Sequence, residues 1–267
     1  AAVEMAGWDL AARAEGVSLS QKLGGDRDVV PVGVSIGLKA TDEELHESVS
    51  GYLDDGYARV KIKIKPGRDI EMLAGLRERF PDVAFMADAN SAYTLDDVDR
   101  LKELDALDLM MIEQPFSYDD FLDHALLQEQ LSTPVCLDES IKSEGDLALA
   151  FELGSCQIVN IKPGRVGGFG VSRRLHDTAR DRDMPVWCGG MLESGVGRAY
   201  NVALASLPGF SLPGDISASQ RYWEQDIVTP EFEVEDGVMR VPSGVGLGVE
   251  LDLHRIHGLT TREVSFG

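Results

Sequence analysis

Five ionisable residues recur at a nearly constant interval: Lys63, Asp88, Glu113, Asp138 and Lys162, in steps of 25, 25, 25 and 24 residues. Each closes a short apolar run: VKIK, FMAD, MMIE, CLD and VNIK. If these runs are parallel strands, three carboxylates at neighbouring strand ends can each give one oxygen to a single hard cation. Mg²⁺ suits such a site, with Mn²⁺ as a substitute, because it takes octahedral oxygen ligands and keeps positions open for water or substrate. Any one of these acids could equally cap the helix that follows it, but three in register argue for a shared task. An EF-hand is excluded, because its ligands crowd into about 12 residues.

Lys61, Lys63 and Lys65 alternate and so share a strand face. On an edge strand they would be a solvated guard against aggregation. Here the strand lies between two others of the repeat and should be buried. A lysine held inside, near other cations, has its pKa lowered and can serve as a base. Lys162 would stand across the mouth. Two bases flanking a metal suggest proton abstraction next to a carboxylate, with the metal stabilising the enediolate.

The elements that must position these groups follow from the interval, since about 25 residues accommodate one strand, a turn, a helix and a return loop. Residues 1–15 carry apolar residues at helical spacing, with Gly16 as a C-cap, and 17–28 form a polar connection. Strands are expected at 29–37, 58–64, 83–88, 107–113, 134–138, 157–162 and 185–190, with a short eighth at 210–215. Helices alternate with them, opened by capping boxes at Thr41/Glu44 and Thr94/Asp97. The middle strands are near-continuous apolar runs, as in a sheet covered on both faces. The expected fold is therefore α/β, a TIM-like (β/α)7-8 barrel over residues 29–228. An open doubly wound sheet is the other arrangement; it would usually carry a glycine loop for phosphate after its first strand, and none stands there. The segment 229–267 contains an alternating stretch, FEVEDGVMRVP, that turns at Asp236-Gly237 as a short C-terminal β-hairpin.

The 267 residues are ample for one large core. No apolar run spans a bilayer and no signal sequence opens the chain, so a cytoplasmic protein is expected. The formal charge of −21, from 46 acids and 25 bases, argues against nucleic acid and against an anionic membrane as partner. Its acids are dispersed over helix faces, and we read the composition as halophilic, an adaptation to high salt. Cys136, Cys156 and Cys188 form no CxxC pair and read as small buried hydrophobes. The five histidines (46, 124, 176, 254 and 257) read as surface residues. Two glycine-rich turns, KPGRVGGFG at 162–170 and CGGMLESGVG at 188–197, could hold an anionic substrate group on backbone N–H donors, although ordinary turn chemistry is an equal reading.

With these residues in view, the chain resembles the enolase superfamily, specifically the o-succinylbenzoate synthase/N-succinylamino acid racemase family. The resemblance is carried by KIKIKPG, DAN at 88–90, IEQP at 112–115, LDES at 137–140, NIKPGRVGG at 160–168 and WCGGMLESG at 187–195. It implies that Asp88, Glu113 and Asp138 bind Mg²⁺ while Lys63 and Lys162 flank the substrate's α-carbon. Lys61 would support Lys63 and the substrate carboxylate, Asn90 and Glu139 would stand behind the ligands, and Gly190 with Met191 would line the pocket. The implied activity is Mg²⁺-dependent dehydration of a cyclohexadiene carboxylate to o-succinylbenzoate, a hydro-lyase step of menaquinone biosynthesis. Racemisation of N-succinyl or other N-acylamino acids by the same two lysines is the alternative, and the motifs do not choose between them. The expected partner is a small carboxylate, and the expected state a homo-oligomer. The family carries an N-terminal capping domain before the barrel, expected to be missing here. From that follows a third alternative, an inactive barrel module.

Overall fold

A computed structural model of the chain describes residues 1–265. After a short strand β1 (Val29–Pro31), seven strands pair in chain order as one parallel sheet: β2 (Gly33–Ile36), β3 (Arg59–Lys63), β4 (Ala84–Asp88), β5 (Ile112–Glu113), β6 (Val135–Leu137), β7 (Ile158–Ile161) and β8 (Val186–Cys188). Helical segments lie between successive strands, as a crossover between parallel neighbours requires. This is the TIM-like α/β architecture expected.

Register sets three of the charged groups at one level, Lys63 with Asp88 and Asp88 with Glu113; Glu113 pairs in turn with Cys136, so Asp138 stands two residues further along. The period of two then dictates what lies beneath. Two residues before Asp88, Glu113 and Asp138 stand Met86, Met111 and Cys136, which with Ile158 and Trp187 form a buried inner plug. The charged layer therefore rests on an apolar floor. A second, larger core fills the space between the strands and the surrounding helices, from Val34 and Val60 to Leu175 and Val202.

Closure of the sheet differs from the sequence-based expectation. The segment 210–215 is no regular strand; it makes isolated parallel bridges to both ends of the sheet, Phe210 to Val186 and Gly214 to Val32. Gly33 N–H donates to Gly214 O at 2.8 Å and Asp215 N–H to Cys188 O at 2.9 Å. Pro213 interrupts the ladder because it has no N–H to give. The expected first strand, 29–37, is also divided: β1 leaves the barrel and pairs antiparallel with β10 (Val238–Arg240), while β2 begins the sheet.

The turn at Asp236-Gly237 is present, with φ 50° and 76°. Only Glu235 and Val238 bridge across it, so the hairpin expected at 231–242 is a turn whose second arm joins β1 instead. A further pair, β9 (Val228–Thr229) with β11 (Glu250–Leu251), ties the tail together. The connection expected at 17–28 holds a short helix, Leu19–Leu23, capped by Ser18 and Gln21. Near Thr41, Glu44 reaches back to Ala40 N–H rather than to Thr41, so only half of that capping box forms. Strand β5 is two residues long where seven were expected: Leu107 ends a 3-10 turn and Asp108 is left-handed, while Met110 and Met111 still exchange hydrogen bonds with β4.

Among the described residues no helix is long and apolar enough to cross a membrane. His124 and His176 are buried, contrary to expectation. Each accepts a backbone N–H on Nε2, from Phe116 at 3.1 Å and Gly209 at 2.9 Å, so both act as core struts. All three cysteines are buried, as expected.

Candidate active site

Lys61 is the hub of the mouth. Its Nζ donates to Glu113 at 2.8 Å and forms ion pairs with Asp215 at 2.6 Å and Asp88 at 3.0 Å, so one ammonium faces three carboxylates. The Trp187 ring lies 5.1 Å from the ammonium. Burial works against the charge, but Asp215, Glu113 and Asp88 outweigh it and hold the Lys61 pKa well above the ordinary lysine range. Asp215 is held the other way: burial would raise it, and Lys61 with Arg59 keep it below the usual carboxylate range.

Lys63 and Lys162 are the more accessible lysines, with side chains 28% and 15% exposed against 4% for Lys61. Lys63 donates to Asp88 at 2.6 Å and to Asn90 Oδ1. Asn90 in turn donates to Glu139 at 3.1 Å. Lys162 donates to one oxygen of Asp138 at 2.8 Å, and Arg165 pairs with the other. Desolvation pulls the Lys162 ammonium down, yet Asp138 and Glu113 raise it overall, so it is a cation at neutral pH. Both lysines line one cavity of about 260 Å³, together with Gly190, Met191, Leu192 and Arg221.

Backbone conformation serves this arrangement. Asn90 and Gln114, which follow β4 and β5, have φ of 43°, a left-handed conformation that costs side-chain-bearing residues about 1 kcal/mol or more. At Gln114 the surroundings fix it: the buried amide donates to Ser140 Oγ at 2.8 Å and accepts from Asp138 N–H at 3.0 Å, holding the end of β6. After β8, a Cβ on Gly189 would stand 2.2 Å from Asn160 Oδ1, and one on Gly190 would stand 1.8 Å from the carbonyl oxygen of Asp215. These two glycines let β8 approach Lys162 and Asp215 closely.

The two glycine-rich turns do not offer the anion cradles considered from sequence. Glu4 fills the first, accepting from Phe169 N–H at 2.8 Å and Gly170 N–H at 2.9 Å. Glu193 fills the second, accepting from Met191 N–H at 2.7 Å. Lys65 is exposed, in a turn with Arg68 beyond the end of β3, and takes no part in the site.

Asp88, Glu113 and Asp138 are buried at the same mouth, but among the described residues no three acidic, imidazole or thiol groups are gathered closely enough to hold an ion as they stand. Lysine ammonium groups take up the space between them. The donor set nonetheless fits a hard divalent cation. All the donors are oxygens. Glu113 is pushed well above the usual carboxylate range by burial and by Asp88, Asp138 and Asp215, which outweigh the pull of Lys61. Glu139 Oε2, beside them, is buried without a hydrogen-bond partner. At Glu113 the site is short of positive charge; at Asp88 it is not, since burial there is outweighed by Lys61 and Lys63, which hold it below the usual carboxylate range.

Five contributors were not singled out from sequence: Arg59, Gln114, Asn160, Arg165 and Asp215. Asn160 donates to Glu113 at 2.8 Å and Arg59 to Asp215 at 2.6 Å. Gln114, Asn160 and Arg165 stand inside the motifs IEQP and NIKPGRVGG, so a signal existed for them. Asp215 closes the expected eighth strand, 210–215, just as Asp88 closes the third, and that position was its signal.

Comparison with known proteins bears on the family and the fold. The family model described as Enolase C-terminal domain-like matches residues 44–255. An o-succinylbenzoate synthase of Geobacillus stearothermophilus is 54% identical over 97% of this chain and 69% of its own length. An N-succinylamino acid racemase of Thermus thermophilus is 52% identical over 97% of this chain and 70% of its own. Among solved structures, an enolase superfamily member from Listeria innocua superposes with a TM-score of 0.91 at 49% identity, covering 94% of this chain and 68% of that one. A racemase from Streptomyces coelicolor with bound magnesium gives 0.85 at 25% identity, over 96% and 70%.

Proposed function

The chain belongs to the enolase superfamily, and from that premise we propose that it is an o-succinylbenzoate synthase, a hydro-lyase of menaquinone biosynthesis acting in the cytoplasm. The single observation that carries this reading is that Lys63 and Lys162 line one cavity while each donates to a buried carboxylate at the end of the sheet, Lys63 to Asp88 and Lys162 to Asp138.

Asp88, Glu113 and Asp138 would hold Mg²⁺, or Mn²⁺, which when bound supplies positive charge for the substrate carboxylate. The remaining work falls to the protein's own groups. Lys63, positioned by Asp88 and Asn90 and acting as the neutral amine, takes the α-proton of the cyclohexadiene carboxylate, leaving an enediolate. Lys162 stays protonated and stabilises that anion as a cation. The C–O bond to the ring hydroxyl then breaks. The proton carried by Lys63 joins the departing hydroxide to make water, and the ring becomes aromatic as o-succinylbenzoate. Lys61 keeps Asp88 and Glu113 in place from below.

Racemisation of N-succinylamino acids is the second reading, favoured by the same pair of lysines and by the Thermus relative. It needs Lys162 to exchange a proton rather than only to provide charge. Assay of the purified protein on both substrates tests the proposal: dehydration is expected at enzymatic rates, and no dehydration would refute it. Lys162→Arg, which keeps the charge but cannot readily give up its proton, should abolish racemisation while retaining measurable dehydration. A positioned acid-base group contributes about 10²- to 10⁴-fold, so the two activities should separate by at least the lower figure.

A further inference from the structure

The protein carries a net charge of −21, yet the walls of the cavity present Lys61, Lys63, Lys162 and Arg221 against a single carboxylate, Asp215. Three of those cations are accounted for. Lys61 is ion-paired with Asp88, Glu113 and Asp215, and Lys63 and Lys162 are the groups assigned above to the reacting carbon. Arg221 is not accounted for, and among the described residues it forms no ion pair with a carboxylate.

Arg221 is also well fixed. It ends a short 3-10 turn, Ser219–Arg221, on the segment that follows Asp215. Its guanidinium carbon lies 4.6 Å from the Tyr52 ring centre and 5.2 Å from that of Tyr222. One Nη donates to Tyr52 Oη and the other to Ser35 O. These bonds use two of its five N–H groups. A guanidinium anchored by two rings and two acceptors has little conformational freedom left to lose on binding, and its fork matches a carboxylate.

We propose that Arg221 receives the second, distal carboxylate of a dicarboxylate substrate, and so sets the preference of the pocket for succinyl-bearing acids over monoacids of the same shape. The inference rests on the reading of this cavity as the substrate pocket of a synthase or racemase, and it names the group that would recognise the succinyl end. An anion bound elsewhere in the cavity would meet lysines already engaged with carboxylates.

The test is calorimetric titration of the Mg²⁺-loaded protein with two probes, o-succinylbenzoate and 2-butanoylbenzoate, in which a methyl group replaces the distal carboxylate. Wild type should bind the diacid about 10- to 100-fold more tightly, the range for a charge-assisted hydrogen-bonded pair. Arg221→Gln should bring the diacid down to the affinity of the monoacid and leave the monoacid where it was. Arg221→Lys, which keeps the charge without the fork, should fall between. Equal weakening of both probes by Arg221→Gln would make the residue a structural clamp and overturn the proposal. So would the absence of a diacid preference in wild type, a result that needs no variant to fold. A wild type that discriminates between the probes but neither dehydrates nor racemises succinyl substrates would instead count against the enzymatic reading alone.

Discussion

Lys61 shows how much a single residue's environment decides. From sequence it is one of three alternating lysines; in the fold it is a buried ammonium paired with three carboxylates, while Lys65, two residues past Lys63, lies in solvent. Spacing placed these lysines on a strand, but where the strand ends is set by the turn between Lys65 and Arg68, which period-two counting does not register. The histidines teach the same lesson, since helical position does not reveal which face is covered. Burial lowers the pKa of both His124 and His176. The unfolded chain, with histidine near 6.5, then binds more protons than the native state at mildly acidic pH. Stability contributed by these residues is complete above about pH 6.5 and is lost as pH falls through their folded values. His124→Gln keeps an acceptor for Phe116 N–H and cannot protonate. Its melting temperature should fall less steeply than that of wild type between about pH 7 and pH 5.5. Parallel slopes would show that His124 does not contribute.

At the scale of elements, periodicity and turn chemistry located nearly every strand and helix, because apolar runs of strand length between glycines and prolines leave few alternatives. What they did not reveal is tertiary pairing. The residues of β1 read as a continuation of β2, and only β10, more than 200 residues away, draws them out of the barrel. Glu4 is another such case. Its carboxylate leaves the helix Ala2–Glu15 to cap the helix Phe169–Arg180, and Trp8 Nε1 donates to it at 2.8 Å. A charged acceptor at a helix N-terminus contributes about 1–2 kcal/mol, so Glu4→Ala should lower the melting temperature by several degrees. Activity at moderate temperature should be unchanged, since Glu4 touches neither lysine. If thermal unfolding shows no shift, the contact between these two helices does not depend on the carboxylate.

At the scale of the molecule, acidic charge spread over helix faces surrounds a cavity whose wall is cationic. The surface charges repel one another, and salt screens them over about 10 Å at 0.1 M and about 3 Å at 1 M. We therefore expect the melting temperature to rise by several degrees between about 0.1 M and 2 M KCl. A flat response in a thermal scan would remove high-salt adaptation as the explanation of the composition. Net charge was legible from the sequence at once; its segregation was not, because the cavity cations come from β3, the residue after β7 and the segment after Asp215, which are far apart along the chain.

The sheet closes through 210–215 with only a few backbone hydrogen bonds, and this has a consequence for how such a barrel can diverge. A regular central strand cannot gain or lose a residue without turning its inward side chains outward. A join held at isolated bridges has no ladder to re-register. Ser217, Arg221 and Tyr222 hang just beyond it and line the cavity. Lys61, Lys63, Asp88 and Glu113 sit on paired strands and are locked in register. One molecule thus combines a conservative half, where chemistry is fixed, with a permissive half, where insertions and substitutions can retune the substrate without disturbing the reaction.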